Sequence, residues 1–182
     1  MRHLPSPSDA EATYAKAVRL EATIGRLDEA EELYRAFCAM APEDPRGPNK
    51  LGVCKALRGQ FDDAEVQFRR ALALSPKFPP ALTNLGNVLL EREDVEGAMA
   101  LYEQALTEDP DYSAAHNNLA AALKKRGDLH SAVQHLRQAH RSTRKRDREK
   151  LRDDVQRGCF SRGTTVLVLA SVGLLSLGVF WR

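Results

Sequence analysis

The sequence predicts an all-α protein: a stack of short helical hairpins, then a basic stem, then an apolar helix of membrane-spanning length. Three observations predict it. Small, aromatic and proline residues recur every 34 positions. Within each period the apolar residues fall at spacings of three and four, the mark of an amphipathic helix. Residues 164–181, TTVLVLASVGLLSLGVFW, are 18 consecutive uncharged and mostly apolar residues, in a chain where 29% are charged.

The period is carried by Pro42, Pro76 and Pro110, by Tyr34, Phe68 and Tyr102, and by Ala30, Ala64, Ala98 and Ala132. A fixed period of this length is the signature of a two-helix unit repeated in tandem. One hairpin cannot bury its own apolar face, so stacking must supply the core. Residues 1–10 form an N-terminal extension, with Ser8 and Glu11 spaced as a capping box for the first helix. No apolar run follows the basic residue of MRHLPSPSDAEA, so a secretory signal is not expected.

The first hairpin, 11–44, has Tyr14, Ala30, Tyr34 and Pro42, with Phe37 in a slot that is small elsewhere. The second, 45–78, has Leu51, Gly52, Ala64, Phe68, Ala71 and Pro76, with Pro48 in place of a large first-helix residue. The third, 79–112, has Leu82, Leu85, Gly86, Leu89, Ala98, Tyr102, Ala105 and Pro110. The fourth, 113–146, has Leu119, Ala120, Leu123, Ala132, Leu136 and Ala139; Arg144 stands at the proline position, so its last helix is expected to run on. Leu27, Phe61, Val95 and Leu129 open the second helices. Gly25, Gly59 and Gly127 precede them by two and suit a left-handed turn, with Glu93 as the exception.

This pattern resembles the tetratricopeptide repeat (TPR) family over 11–146, about three quarters of the chain. The resemblance implies a helical-hairpin solenoid of about four repeats whose first helices line a concave groove that takes a protein or an extended peptide. In those positions lie Lys16, Arg19, Arg46, Asn49, Lys50, Val53, Thr83, Asn84, Asn87, Glu91, Asn117, Asn118, Lys124 and Lys125, with six cations and one anion. Asn84 and Asn118 share a slot one repeat apart and resemble the asparagine ladders of some TPR grooves. A carboxamide both donates and accepts, so it pairs with a peptide backbone of any sequence. The expected groove residues are Asn84, Asn118, Asn87, Asn49, Lys50 and Lys124, and the cations point to an acidic partner. A chaperone-tail clamp is not expected: the Lys and Asn four apart that it needs are replaced by Ala15 and Arg19 in the first repeat.

No catalytic, cofactor or metal constellation is evident, since nucleotide-loop and HExxH patterns are missing and the repeats take up the chain. His130, His135 and His140 are spaced by five and turn away from one another on a helix, and His116 fills a large-residue slot. Cys38 and Cys54 fall on packing positions, and no cysteine spacing suggests a disulfide framework or a zinc site. Catalysis is therefore not expected.

Residues 1–140 hold 17 basic and 21 acidic residues, whereas Arg141–Arg162 holds nine basic and four acidic. A basic stem, 147–163, thus leads into the apolar segment 164–181, which as a helix spans about 27 Å, enough for a thin bilayer. Trp181 suits an interface, and Arg182 reaches headgroups. Cys159 beside it is a possible lipidation site. These features resemble tail-anchored TPR proteins. They imply a single-pass membrane protein with its body in the cytosol, expected at the mitochondrial outer membrane, with the endoplasmic reticulum next, and no nucleic-acid partner. The expected function is a non-enzymatic adaptor or receptor that binds a protein or acidic peptide in its groove. The alternative is a structural subunit packed in a membrane complex through its convex face.

Overall fold

The structure, a computed structural model, describes residues 6–161 apart from Ile24, with side chains as far as Arg157. The described residues form eight helices: α1 (Pro7–Glu21), α2 (Leu27–Met40), α3 (Arg46–Leu57), α4 (Phe61–Leu74), α5 (Pro79–Glu91), α6 (Val95–Glu108), α7 (Ser113–Arg126) and α8 (Leu129–Ser161). They pair as hairpins, α1 with α2, α3 with α4 and α5 with α6, and each second helix packs on the first helix of the next pair. The chain divides into two compact units, one ending at Ser142 and one beginning at Thr143.

The periodic residues build the core of the first unit. Ala30, Ala64 and Ala98 are fully buried, and beside them Tyr34, Phe68 and Tyr102 are buried to within 1%. Burying each large side chain contributes roughly 1.5–3 kcal/mol. Two of the rings, Phe68 and Tyr102, lie against glycines of the preceding helix. A Cβ on Gly52 would come 2.5 Å from the Phe68 ring, and one on Gly86 would come 2.5 Å from the Tyr102 ring. Phe37 fills its slot in the first repeat by tilting against Tyr14, with ring centroids 5.0 Å apart.

The helix ends follow local chemistry. α1 is capped by Ser6 and not by Ser8: the Ser6 hydroxyl accepts from the Asp9 N–H, and the Asp9 carboxylate accepts from the Ser6 N–H at 2.8 Å. Pro7 sets this register, because its fixed φ favours the first helical position, and Glu11 is left to pair elsewhere. Pro48 is the third residue of α3, where an N–H has no intrahelical partner to lose. Gly25, Gly59 and Gly127 adopt left-handed φ of 78°, 74° and 94°, and Glu93 takes the same conformation at 66° without glycine's freedom.

A second period ties the repeats together. Arg58 donates to Asp28 and Glu31, and Arg92 to Asp62 and Glu65. Arg126 reaches Glu96 at 3.7 Å. Arginine at the end of each first helix thus meets an acid at the start of the previous second helix, at 34-residue intervals. The innermost carboxylate, Glu31, is 4% exposed. Burial works against its charge, but the guanidinium of Arg58, then Arg35 and Lys55, hold its carboxyl below the usual carboxylate range.

With no proline to stop it, α8 continues to Ser161. The apolar segment 164–181 and the stem from Arg162 lie outside the described residues. Among those, no helix is long and apolar enough to cross a membrane.

Candidate peptide-binding face

The first helices α3, α5 and α7 place four asparagines in a row. Asn84 on α5 donates from Nδ2 to Asn49 Oδ1 on α3 at 2.9 Å. Asn118 on α7 donates to Asn87 Oδ1 on α5 at 2.7 Å, and the Tyr102 hydroxyl donates to the same oxygen at 2.8 Å. Burial, then the nearby Glu91 carboxylate, pushes the Tyr102 phenol up to about 12, which keeps it a donor. Each carboxamide has two N–H donors and one oxygen. Asn84 and Asn118 each use one N–H within the row. Each is left with its oxygen and its second N–H, the two groups that a peptide unit needs.

The expected groove residues divide in this structure. Asn84 and Asn118 are half-buried, and Asn87 and Lys124 are exposed. Asn49 is buried at 5% and serves as the acceptor that fixes Asn84. Thr83, read from sequence as facing the groove, is only 2% exposed.

The cations divide as well. Lys50 is clamped to Glu21 at 2.9 Å, and the same carboxylate accepts from the Tyr34 hydroxyl. Burial and that bond push the Tyr34 phenol well up. Arg46 pairs with Asp44 and Glu11 and lies over the Tyr14 ring at 4.8 Å from its centroid. Bonds to Asp44, then Glu11, hold the Arg46 guanidinium firmly charged. Lys125 approaches Glu93 at 3.5 Å. Arg46 and Lys50 therefore fasten the first repeat to the second, and their charge is already matched. Lys16, Arg19 and Lys124 remain exposed with no ion pair among the described residues.

Sequence reasoning missed a pocket of about 240 Å³ between α3 and α5. Val53, Leu57, Phe61 and Val88 give it apolar walls, and Asn84, Asn87 and Glu91 lie along its edge. Leu57 is 63% exposed at the mouth of this pocket, so together with Val53 and Phe61 it presents apolar surface there. The arginine ladder was also missed, although Arg58, Arg92 and Arg126 repeat at the same 34-residue interval as the aromatics. Among the described residues no three His, Cys, Asp or Glu side chains are grouped to hold a metal ion. Cys54 is buried in the core and its thiol is pushed up by burial to about 11, whereas Cys38 is half-buried; both are free.

A family model described as the cilia and flagella-associated protein 70 middle TPR-like domain matches residues 14–117. A tetratricopeptide-repeat model matches residues 89–150. No curated protein matches the chain. Among solved structures, MamA is similar with a TM-score of 0.59 and 20% identity, over 79% of this chain and 83% of that one. The TPR protein TTC0263 of Thermus thermophilus is similar with a TM-score of 0.64 and 21% identity, over 71% and 72%. The first TPR of Spaghetti (RPAP3), solved with the HSP90 peptide SRMEEVD, is similar with a TM-score of 0.58 and 22% identity, over 68% and 98%.

Proposed function

The chain belongs to the tetratricopeptide-repeat family, in the group described by the middle TPR-like domain of cilia and flagella-associated protein 70, and on that premise we propose that it is a non-enzymatic adaptor. It binds an extended, acidic peptide segment of another protein across α3, α5 and α7. The observation that carries this reading is the asparagine row. Asn84 and Asn118 are held by Asn49 and Asn87 so that each offers one donor and one acceptor on the same face. Val53, Leu57 and Phe61 would seat an apolar side chain of the same segment. The exposed cations Lys124, Lys16 and Arg19 favour acids in it, more weakly than a groove with free Arg46 and Lys50 would.

We further propose that residues 164–181 hold the adaptor on a membrane. The support is their composition, with 18 residues free of charge and arginines at 162 and 182 on either side. The modest hydrophobicity, diluted by Thr164, Thr165, Ser171, Gly173, Ser176 and Gly178, favours the mitochondrial outer membrane over the endoplasmic reticulum.

The test of the groove is selection from a random peptide library, followed by affinity measurement on the selected peptides. Acidic residues should be enriched. Asn118→Ala should weaken binding tenfold or more, a loss of about 1.4 kcal/mol. Asn118 is the clean choice because Asn87 keeps its bond from Tyr102, whereas Asn84→Ala would strand the buried Asn49 oxygen. The outer-face pair Glu32→Ala with Glu103→Ala is the control. Glu65 is unsuitable, since it is held by Arg69 and Arg92. Loss of binding in the outer pair with Asn118→Ala unaffected would move the partner to the second helices and make the protein a structural subunit.

A further inference from the structure

Each second helix in the stack is covered by the first helix of the next repeat: α2 by α3, α4 by α5, α6 by α7. Among the described residues, the exposed side of α8 up to Ser142 has no such cover. Leu129, Val133 and Leu136 are 61%, 46% and 42% exposed. At spacings of four and three they form one stripe along the helix. Leu136 occupies the slot in which Tyr34, Phe68 and Tyr102 are fully or almost fully buried.

The acids that line this edge at the earlier steps are missing beside this stripe. At the earlier steps the acids Asp28, Asp62 and Glu96, with Glu31 and Glu65 one turn on, receive the arginine of the next helix. The corresponding positions of α8 are His130 and Val133, and no Asp or Glu occurs from Leu129 to Arg146. His130, Arg137 and Arg141 follow one edge of the stripe at spacings of seven and four, all exposed. Neither arginine has an ion pair among the described residues. A further repeat of the same kind would bring an arginine to this edge and be repelled, as would a second copy laid face to face.

We propose that α8 docks an amphipathic helix of a partner protein, with carboxylates along one flank of its apolar stripe, where a further repeat would set its first helix. The apolar contact supplies affinity, and Arg137 and Arg141 fix the sign of the partner and its orientation. This surface is separate from the asparagine row and does not depend on it.

The experiment uses the full chain in neutral phosphatidylcholine nanodiscs and two labelled four-turn synthetic peptides. The peptides share a leucine stripe; one is flanked by glutamates and the other by lysines, and empty nanodiscs are the blank. Fluorescence anisotropy should show the glutamate peptide binding at least tenfold tighter. Val133→Asp should remove that binding, with helicity unchanged because the residue is exposed. Arg137→Glu with Arg141→Glu should reverse the preference, and Asn118→Ala should leave it intact. Equal binding of the two peptides, or binding of neither, overturns the proposal. A doubling of mass that Val133→Asp abolishes would give the face to a second copy. A Val133→Cys variant, made in a chain that also carries Cys38→Ser, Cys159→Ser and, at the buried position, Cys54→Ala, that stays unlabelled by maleimide as a monomer would show the face already covered within the chain. Either result also overturns it.

Discussion

Two residues in unusual states carry testable consequences. His116 Nε2–H donates to the Pro110 carbonyl at 3.0 Å, which leaves its Nδ1 bare to accept from His135 Nδ1–H, also at 3.0 Å. Burial, then the His116 ring, hold His135 below its ordinary value of 6.5, while Glu103 opposes them weakly. A histidine whose folded pKa is depressed contributes stability that is full above the unfolded value and is lost as pH falls through the folded one. The melting temperature should therefore drop between pH 7.5 and pH 5.5. This range lies above the titration of the carboxylates, whose folded values are lowered. His135→Gln should flatten the drop; an unchanged slope would show that the titration of His135 is not linked to folding. Glu93 is the other case. Its φ of 66° costs a non-glycine residue about 1–2 kcal/mol, and its ion pair with Lys125 is exposed. Glu93→Gly should stabilise the fold by about 0.5–1 kcal/mol in denaturant unfolding, because glycine's greater freedom in the unfolded chain takes back part of the relief.

At the scale of the helix, packing is set by the ring-on-glycine contact. A methyl at Gly86 meets a Tyr102 ring that is fully buried and tethered through its hydroxyl to Asn87. Gly86→Ala should cost about 1–3 kcal/mol, read as a lower denaturation midpoint with the same m-value. The helices and the rings that fill them were legible in the sequence, because a 34-residue period fixes which residues share a slot. Contacts between helices were less so. A single helix's periodicity shows which face a residue lies on but not what stands opposite. Lys50 meets Glu21 from the preceding repeat, His116 meets His135 across 19 residues, and Thr83 turns inward. Nothing repeats in these pairings. The arginine ladder does repeat and was readable, since Arg58, Arg92 and Arg126 keep the period that Asp28, Asp62 and Glu96 keep. The cap on Ser6 was missed for a local reason: a proline at the first helical position outranks a matching pair of Ser8 and Glu11.

At the scale of the molecule, binding and anchoring are assigned to different parts of the chain. The unit that ends at Ser142 contains every buried aromatic of the stack and the whole asparagine row. Its core residues are buried against one another, so its folding is expected to proceed without residues 164–181. That segment, in contrast, has no polar face to offer water, and in a bilayer a helix satisfies its own backbone. Two outcomes follow from the proposed division. Expressed in cells, the full chain should float with membranes and resist alkaline carbonate, whereas the chain lacking residues 164–182 should stay in the supernatant. The shortened chain should keep its far-UV helicity and a cooperative thermal transition. It should also bind the library-selected acidic peptides with unchanged affinity, since no groove residue has been removed. If the shortened chain instead aggregates or melts without cooperativity while the full chain is extracted by carbonate, the apolar segment is part of the protein core, and the membrane assignment falls while the groove assignment stands. If the shortened chain folds but loses peptide binding, the groove assignment falls, because binding would then need residues beyond the stack.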